Sequence, residues 1–348
     1  MYNNYRIVVL TAAGRRRYMQ LLVPFIVSSE IVDRYEIWVN TNNSADIEFF
    51  KQLANQFPVV ELVWQPEGIV NGNASINSFY KRCTDTETVY FKIDDDIIWM
   101  EPRLIERMVK FRIDNPQYFL VSPLVINNSL CTYLLQIENR IRLDTYYNAS
   151  ASNPILWRND VFATDLHTWF LNNYLKRKKW EDLHVGPKIM AMTRFSINAV
   201  LWFGKDFNEM NGEVIGDDEE YLSCIYPTII GKANAWNGDV VASHYAFYPQ
   251  RSSLDKTHIL EQYCDECHAQ WASDNKMKAI DEAVQSIMTT VNRNEEYYMS
   301  LPLTYEKNNN QQSFKLKLLK FLPYPIVRFL VRAKHLGKAP ESHILDLE

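Results

Sequence analysis

Residues 88–100 read T-V-Y-F-K-I-D-D-D-I-I-W-M, with three consecutive aspartates between two apolar segments. The first apolar segment is rich in β-branched and aromatic residues, which favour a strand. Adjacent carboxylates repel one another, and apolar surroundings make their ionisation costly unless a cation compensates it. Oxygen ligands suit a hard divalent ion, which also binds substrate phosphates. The pattern therefore predicts a Mg²⁺ or Mn²⁺ site at Asp94, Asp95 and Asp96. The alternative is a charged turn between two strands.

Strands and helices alternate around these aspartates. Apolar runs predict four strands, at 6–11, 35–39, 59–64 and 89–93. Three helices are predicted between them, at 15–29, 45–56 and 74–82. This alternation is typical of an α/β protein with a doubly wound sheet, whose ligands bind at the carboxyl ends of the strands. Thr11, Asn40 and the three aspartates fall at such ends, and they converge if the strands are parallel.

The later chain continues the pattern with longer intervals. Further strands are predicted at 118–122 and 194–203, and further helices at 102–113, 160–176 and, over a long region, 257–291. An acidic cluster opens another helix, where the helix dipole favours carboxylates. Its members are Asp217, Asp218, Glu219 and Glu220. Four consecutive acids are more than the capping of a helix requires. His244 follows a short apolar run and is either a buried core residue or a ligand.

Composition and motifs argue against several classes of protein. The single Gly14 after the first strand disfavours a dinucleotide-binding oxidoreductase, and the sequence has no P-loop lysine motif. The net charge of -5 argues against nucleic acid as a partner. The five cysteines are irregularly spaced, as in a reducing compartment. The sequence has no recognisable signal peptide and no run long enough to span a membrane. We therefore expect a cytoplasmic protein.

In this order, the motifs resemble those of the nucleotide-sugar glycosyltransferases of the GT-A fold, whose metal motif is D-x-D. The order is a first strand ending in Thr11 with Arg15 beyond the turn, the F-K-I-D-D-D-I segment, the D-D-E-E cluster and the late His244. The similarity covers roughly residues 5–250. It implies a GT-A-like, Rossmann-type mixed sheet flanked by helices, with a helical C-terminal extension. It also implies transfer of a sugar from a nucleoside-diphosphate sugar, with uridine preferred, to a hydroxyl of a glycan or lipid-linked glycan.

The resemblance also assigns roles to individual residues. Asp96 matches the main ligand of Mn²⁺ or Mg²⁺, Asp94 matches the other outer acid, which holds the ribose or the metal shell, and His244 matches the late metal ligand. Asp218 stands where inverting members carry the general base, and Asp217 replaces the glutamate that usually precedes it. The nucleoside and diphosphate are expected to bind a set of residues near the strand ends: Thr11, Arg15, Asn40, Asn73, Asn77, Asp94 and Asp95.

The chain is expected to divide into three parts. Residues 1–255 form the catalytic domain, with a donor half at about 1–125 and an acceptor half at about 126–255. A helical extension follows at 256–307, then a linker and basic tail at 308–348. Within this tail, residues 314–338 alternate basic and apolar side chains, as in segments that bind the surface of an anionic membrane. The tail therefore either contacts the inner face of a membrane peripherally or packs on the domain.

Three other functions remain open. The exostosin-type retaining glycosyltransferases share a similar I-D-D-D-I strand and a late acidic pair, so inversion by Asp218 is only the preferred stereochemistry. A sugar nucleotidyltransferase also uses carboxylate-held Mg²⁺ on an α/β sheet, but usually has a glycine-rich loop after the first strand. A non-catalytic sugar- or membrane-binding module would not need both acidic clusters. Release of a nucleoside diphosphate or of pyrophosphate distinguishes the two classes of enzyme.

Overall fold

The fold was analysed in a computed structural model that describes residues 1–145, 147, 155–190 and 193–302. Within these residues, nine strands form one sheet. Their bounds are β1 (Arg6–Ala13), β2 (Arg34–Val39), β3 (Val60–Trp64), β4 (Thr88–Ile93), β5 (Ile97–Met100), β6 (Val121–Ile126), β7 (Lys188–Met190), β8 (Ala199–Phe203) and β9 (Asn234–His244). The predicted first four strands are all present.

The sheet is mixed, and its order is β3-β2-β1-β4-β8-β6-β9-β5, with β7 paired to β9. Strands β1 to β4 run parallel to one another. Strand β8 is antiparallel to both β4 and β6, whereas β6 and β9 are parallel. Strands β5 and β7 pair antiparallel with β9. The carboxyl ends of β1, β2, β4, β6 and β9 therefore lie at one edge of the sheet, together with the start of β8. This arrangement confirms the predicted GT-A-like, Rossmann-type fold class.

Helices cover the sheet. The described helices are α1 (Arg16–Val27), α2 (Ser44–Gln56), α3 (Leu104–Asp114), α4 (Ser129–Ile137), α5 (Ile155–Arg158), α6 (Asp160–Phe170), α7 (Gly204–Glu209), α8 (Asp218–Glu220), α9 (Tyr226–Ile230), α10 (Tyr248–Leu254), α11 (Ile259–Trp271), α12 (Asn275–Arg293) and α13 (Glu295–Ser300). Short 3₁₀ or π segments lie at 72–78, 80–82, 171–175, 180–183 and 221–225.

Several helices begin where a short polar side chain satisfies the first backbone N–H groups. Asn43 accepts a hydrogen bond from the backbone N–H of Asp46 at 3.0 Å, and Asn159 accepts one from Phe162 at 2.9 Å. Such capping typically contributes about 1 kcal/mol. The local sequence thus determines where these helices start.

The C-terminal helices pack directly on the sheet domain. Helix α12 contacts both α1 and α2, and α13 contacts α2. Residues on most sides of α1 are buried, including Met19 and Val23. Arg16 at the start of α1 joins the two parts through an ion pair with Glu295 at 2.8 Å. The predicted helical extension is therefore present and covers α1 and α2, while the proposed domain boundaries stay a prediction.

The structure corrects several predicted boundaries. Strand β1 continues two residues past Thr11, and β6 begins at Val121 because the two preceding backbone N–H groups bond to Ala233 and Asn234 instead. The segment predicted as a helix at 74–82 forms two 3₁₀ segments. The long helical region divides at Asp274, whose carboxylate caps α12. The basic segment 314–338 and the linker before it lie outside the described residues.

Candidate active site

The three aspartates lie in the turn between β4 and β5, at the carboxyl edge of the sheet. The backbone carbonyl of Asp94 accepts from the backbone N–H of Ile97 at 3.1 Å and closes the turn. Aspartate is itself a favoured turn residue, so no glycine or proline was needed. The two interpretations of this segment were therefore not exclusive, because the charged turn also brings the carboxylates to the predicted edge.

Asp95 binds the turn that follows β1. Its carboxylate accepts from the backbone N–H of Gly14 at 2.9 Å and from the guanidinium of Arg15, which binds both oxygens. The side chain is 4% exposed. Asp95 thus fixes the β1–α1 connection and the position of Arg15, and its proposed contact with the donor stays a prediction.

Asp96 lies among three groups that are or become cationic. Its carboxylate is 3.0 Å from Nη2 of Arg15, 3.4 Å from Nη2 of Arg251 and 3.5 Å from Nε2 of His244. Burial alone would raise the pKa of Asp96, but the charges of Arg15, His244 and Arg251 outweigh it and hold that pKa well below its usual range. Asp96 is therefore ionised at neutral pH.

His244, the last residue of β9, has the environment of a metal ligand. Its Nδ1 lies 3.1 Å from the backbone carbonyl oxygen of Asn127. A carbonyl can only accept, so Nδ1 is the donor in this contact, and Nε2 faces the carboxylate of Asp96 at 3.5 Å. Protein metal sites commonly orient histidine by this type of second contact.

The donor set fits a divalent ion that takes its other ligands from a substrate. Within the described ranges, no three His, Cys, Asp or Glu side chains come together as a complete metal site. Asp96 and His244 supply one oxygen and one nitrogen, and Mg²⁺ in particular is often held by one or two carboxylates plus substrate phosphates. These two residues are therefore the ones that would hold the ion.

Asp94 has a different set of contacts from Asp96. Its carboxylate accepts from the ammonium group of Lys92 and, at 3.2 Å, from Nδ2 of Asn198. Asn198 is itself held by Nδ2 of Asn128 at 2.9 Å. Burial raises the pKa of Asp94, and Lys92 opposes that increase. The side chain is still 29% exposed.

The second acidic cluster opens α8 as predicted. Asp217 caps the helix by accepting from the backbone N–H of Glu220 at 2.8 Å, and Arg194 bridges Asp217 and Glu219 at 3.1 and 3.0 Å. Asp218 is the member that faces the sheet, where its Oδ2 accepts from the hydroxyl of Tyr80 at 2.9 Å. Burial raises the pKa of Asp218, and Lys92 and the Tyr80 hydroxyl oppose the increase.

The predicted donor-binding residues occupy different environments. Thr11 is fully buried and accepts from the hydroxyl of Tyr35 at 3.2 Å. Asn40 follows β2 and binds the 72–75 loop through Gly72 O at 2.9 Å and Ser75 Oγ at 2.7 Å. Asn77 donates to the carbonyl of Gly216 at 2.8 Å and so joins this loop to the second acidic cluster. Asn73 is exposed. Their roles in donor binding stay predictions.

Four residues of the site were missed by sequence reasoning: Tyr80, Lys92, Asn198 and Arg251. Lys92 offered a signal, because a lysine inside an apolar strand two residues before an acidic turn is unusual. Arg251 offered none, since its approach to Asp96 depends on how α10 folds back after β9. A groove of about 580 Å³ opens elsewhere, between the ends of α1 and α11 and the start of α3, and none of the predicted site residues lines it.

Comparison with known proteins adds no family. No protein-family model and no curated protein matches the chain. Among solved structures, it is similar to a CMP:2-keto-3-deoxy-manno-octonic acid synthetase complexed with CTP, at 10% identity and a TM-score of 0.42, covering 75% of this chain and 99% of the other.

It is also similar to two structures of 4-diphosphocytidyl-2C-methyl-D-erythritol synthase. For one, identity is 9% and the TM-score 0.39, with 74% of this chain and 98% of the other covered. For the second structure, from Anaerococcus prevotii, the identity is 8% and the TM-score is 0.40. The match covers 73% of this chain and 96% of the Anaerococcus chain. No helix of the described residues is both long and apolar enough to cross a bilayer. A proposal of function therefore rests on the residues of the site.

Proposed function

We propose that this chain is a metal-dependent transferase that moves a sugar from a nucleoside-diphosphate sugar, UDP-sugar by preference, to a hydroxyl of a glycan or lipid-linked glycan. The observation that carries the proposal is the pairing of Asp96 with Nε2 of His244 at 3.5 Å, beside a separate acid, Asp218, in a different environment. The Asp96–His244 pair is suited to binding a cation, and Asp218 is suited to accepting a proton.

Asp96 and His244 are the proposed ligands of Mn²⁺ or Mg²⁺, and Asp94, whose side chain is 29% exposed, is the third predicted ligand. A divalent ion bound there would neutralise negative charge on the departing diphosphate. Arg15 adds positive charge at the same place, and Asp95 holds it there through both carboxylate oxygens. A rigidly placed guanidinium binds phosphate oxygens well because its donors form a planar fork.

Asp218 is the proposed general base of an inverting reaction. An acceptor hydroxyl oxygen forms a bond to the anomeric carbon while the bond from that carbon to the diphosphate breaks. The electron pair leaves with the diphosphate, and Asp218 accepts the hydroxyl proton. Such a base typically contributes about 10² to 10⁴-fold to the rate. The hydrogen bond from Tyr80 orients one carboxylate oxygen and leaves lone pairs on both for the acceptor.

A sugar nucleotidyltransferase is the second candidate, because an anion site at Arg251 also fits the pyrophosphate that such an enzyme releases. Arg251 approaches Asp96 and the carbonyl of Ala246 only at 3.4 Å each, and its Nε is buried without a hydrogen-bond partner among the described residues. Buried donors are usually satisfied, so a further anionic group is expected here. Arg15 and Arg251 together suit a leaving pyrophosphate as well as a bridging diphosphate.

A thermal-unfolding screen tests the shared part of both candidates. Nucleoside diphosphates, triphosphates and nucleotide sugars are each added with and without Mn²⁺ or Mg²⁺. A ligand at 100 times its Kd stabilises the folded state by about 2.7 kcal/mol, enough to raise Tm measurably. We expect metal-dependent stabilisation in the natural protein and in the control Asp114→Asn, and none in Asp96→Ala. If no compound stabilises the protein in the presence of metal, both candidates are wrong.

Product analysis then separates the two candidates. A glycosyltransferase releases free UDP from a UDP-sugar, and water serves as a slow acceptor when no glycan is supplied. A nucleotidyltransferase releases pyrophosphate from a nucleoside triphosphate and a sugar or sugar phosphate. Free UDP with a released sugar supports the first proposal, whereas pyrophosphate release supports the second.

A further inference from the structure

The groove of about 580 Å³ lies where four helix ends meet. It is bounded by the ends of α1 and α11 and by the starts of α3 and α12. Two of its lining rings, Phe25 and Trp271, pack edge to face with their centroids 5.1 Å apart. Other apolar side chains of the lining are Ile31, Met100, Leu104 and Met277. Apolar grooves between helices bind amphipathic helices through the apolar face of the helix.

The charge around the groove favours a basic partner. Among the described residues that line it, Glu30, Glu106 and Asp274 are half-buried or exposed acids, and Arg103 and Lys276 are exposed bases. A fourth acid, Glu101, is buried and already bound to Arg107. The partial positive charges at the starts of α3 and α12 are opposed by Glu106 and Asp274. The partial negative charge at the end of α1 has no basic residue in the last turn to oppose it.

The direction of α12 relates the groove to the end of the described chain. Near the start of α12, Lys276 lies 3.3 Å from Glu30, which follows α1. Near its end, Asn292 accepts a hydrogen bond at 3.1 Å from Arg16, the first residue of α1. Helix α12 therefore runs antiparallel to α1, away from the groove. Its 19 residues correspond to a length of about 28 Å.

The rest of the chain is long enough to return over this distance. Residues 303–313 follow the last described helix and lead to the basic segment. A chain of that length spans up to about 36 to 40 Å when it is extended. Residues from 314 onward can therefore reach the groove without any change in the described helices.

The first part of the basic segment has the side chains that such a groove binds. Residues 314–322 read F-K-L-K-L-L-K-F-L, and Pro323 follows them. Phe314, Leu318 and Phe321 are spaced i, i+4 and i+7, which places them on one face of a helix. Lysines lie on both sides of this face, and no Asp or Glu occurs between 306 and 341. Lysine side chains can cover apolar surface while their ammonium groups reach acids at its border.

We propose that the groove is the docking site of residues 314–322 of the same chain. The face formed by Phe314, Leu318 and Phe321 lies on the apolar lining, and the lysines lie beside the acids. Because the segment is tethered, its effective concentration at the groove is on the order of millimolar, so a contact of modest intrinsic affinity is sufficient. The inference does not depend on the proposed function, since none of the proposed site residues lines this groove.

Photo-cross-linking in the full chain tests the proposal. Ser273, which is exposed and lines the groove, is replaced with the photo-reactive residue p-benzoylphenylalanine. After irradiation of dilute protein without vesicles, mass spectrometry should identify a cross-link to residues 314–322 of the same molecule. The same reagent residue placed at Ile189, which is exposed on β7 and does not line the groove, should give no such cross-link.

Other occupants give different results. Cross-links from position 273 to a second molecule, in place of those within one molecule, would show that another copy fills the groove and would overturn the proposal. The absence of any cross-link from position 273 to residues 314–322 would overturn it as well. Sedimentation with phosphatidylglycerol vesicles in that case would assign the segment to an anionic membrane surface.

Two double variants of the tail test the apolar face. Leu318→Asp with Phe321→Asp places charge on the face that docking buries, and should lower the cross-linking yield from position 273 at least about tenfold. Asn309→Asp with Asn310→Asp adds the same charge outside this face, and should change the yield by less than about twofold. Equal yields in the two double variants would contradict the proposal.

Hydrogen exchange tests the same contact without a substitution in the groove. Backbone amides at 28–31 and 272–274 should exchange more slowly in the natural full chain than in the Leu318→Asp, Phe321→Asp variant. Equal exchange rates would overturn the proposal, even if the cross-linking variant does not fold. These measurements need no nucleotide sugar, so their outcome is separate from that of the proposed function.

Discussion

The two acidic clusters of this protein have similar sequences and opposite surroundings. In the 94–96 turn, Asp95 and Asp96 are buried and face Arg15, Arg251 and His244. In the 217–220 cluster, Asp217 caps a helix, and Asp218 accepts a hydrogen bond from the hydroxyl of Tyr80. The pKa of Asp96 is held well below its usual range, whereas the pKa of Asp218 is raised.

This difference shows that a run of acids does not by itself define a chemical role. A carboxylate that stays ionised at all working pH values is suited to hold a cation. A carboxylate whose pKa is raised toward neutrality is suited to exchange a proton. The number and placement of nearby guanidinium groups decide which of the two roles each cluster is suited to.

The largest expected effect is on turnover by Asp218→Asn. If Asp218 is the proton acceptor, turnover should fall by about 10² to 10⁴-fold, because asparagine cannot take the proton. Binding of the donor with Mn²⁺, measured by calorimetry, should be unchanged. The matched control is Asp217→Asn, which retains a capping side chain and should change turnover by no more than about threefold. Equal turnover in Asp218→Asn and the natural protein would remove Asp218 from this role.

The next effect concerns stability at the first cluster. Asp96→Asn removes the carboxylate partner of Arg251 and leaves Arg15 with Asp95 alone, and should lower the free energy of unfolding by about 3 kcal/mol. Urea denaturation in metal-free buffer measures this change. Asp114→Asn removes an exposed ion pair with Lys110 and should cost no more than about 0.5 kcal/mol. Similar small losses in both variants would show that the cations around Asp96 do not depend on it.

The dependence of stability on pH should have opposite signs at the two clusters. The folded-state pKa of Asp96 is depressed, so its contribution is present above the unfolded value of about 3.9 and is lost as pH falls below it. The stability difference between the natural protein and Asp96→Asn should therefore shrink below pH 4, by at most about 1.4 kcal/mol per pH unit.

The folded-state pKa of Asp218 is raised, so its contribution is present at low pH and is lost as pH rises through that pKa. Relative to the natural protein, Asp218→Asn should therefore gain stability as pH rises from 4 to 7. Urea denaturation at several pH values measures both differences. Stability differences with the same sign of slope for both variants would contradict the contrast between the clusters.

The smallest expected effect is on the helix that carries Asp218. Asp217→Ala removes the cap of α8 and one contact of Arg194, and should cost about 1 kcal/mol of unfolding free energy. Turnover should fall only a few fold, since Asp218 keeps its contact with Tyr80. Thermal unfolding and steady-state kinetics measure the two effects. A loss of turnover as large as that of Asp218→Asn would indicate that Asp217 is itself part of the chemistry.

Much of the fold followed from local patterns. The apolar runs at β1, β2 and β4 are buried on both faces of the sheet, so they stand out in the sequence without any tertiary information. The start of α8 after Asp217 was also predictable. An aspartate caps the first backbone N–H groups of a helix, and acids in the first turn interact favourably with the helix dipole. The antiparallel β8 beside β4 was not, since strand direction is decided by the path of the connecting chain.

The sequence by itself determined that two groups of acids exist, that one follows a buried strand, and that a cation is needed nearby to stabilise adjacent carboxylates. Only the tertiary structure decided which carboxylate meets which cation. Arg251 and His244 reach Asp96, and Tyr80 reaches Asp218, because distant segments are brought to one edge of the sheet. Electrostatic interactions depend on distance and burial in space, and neither can be read from separation along the chain.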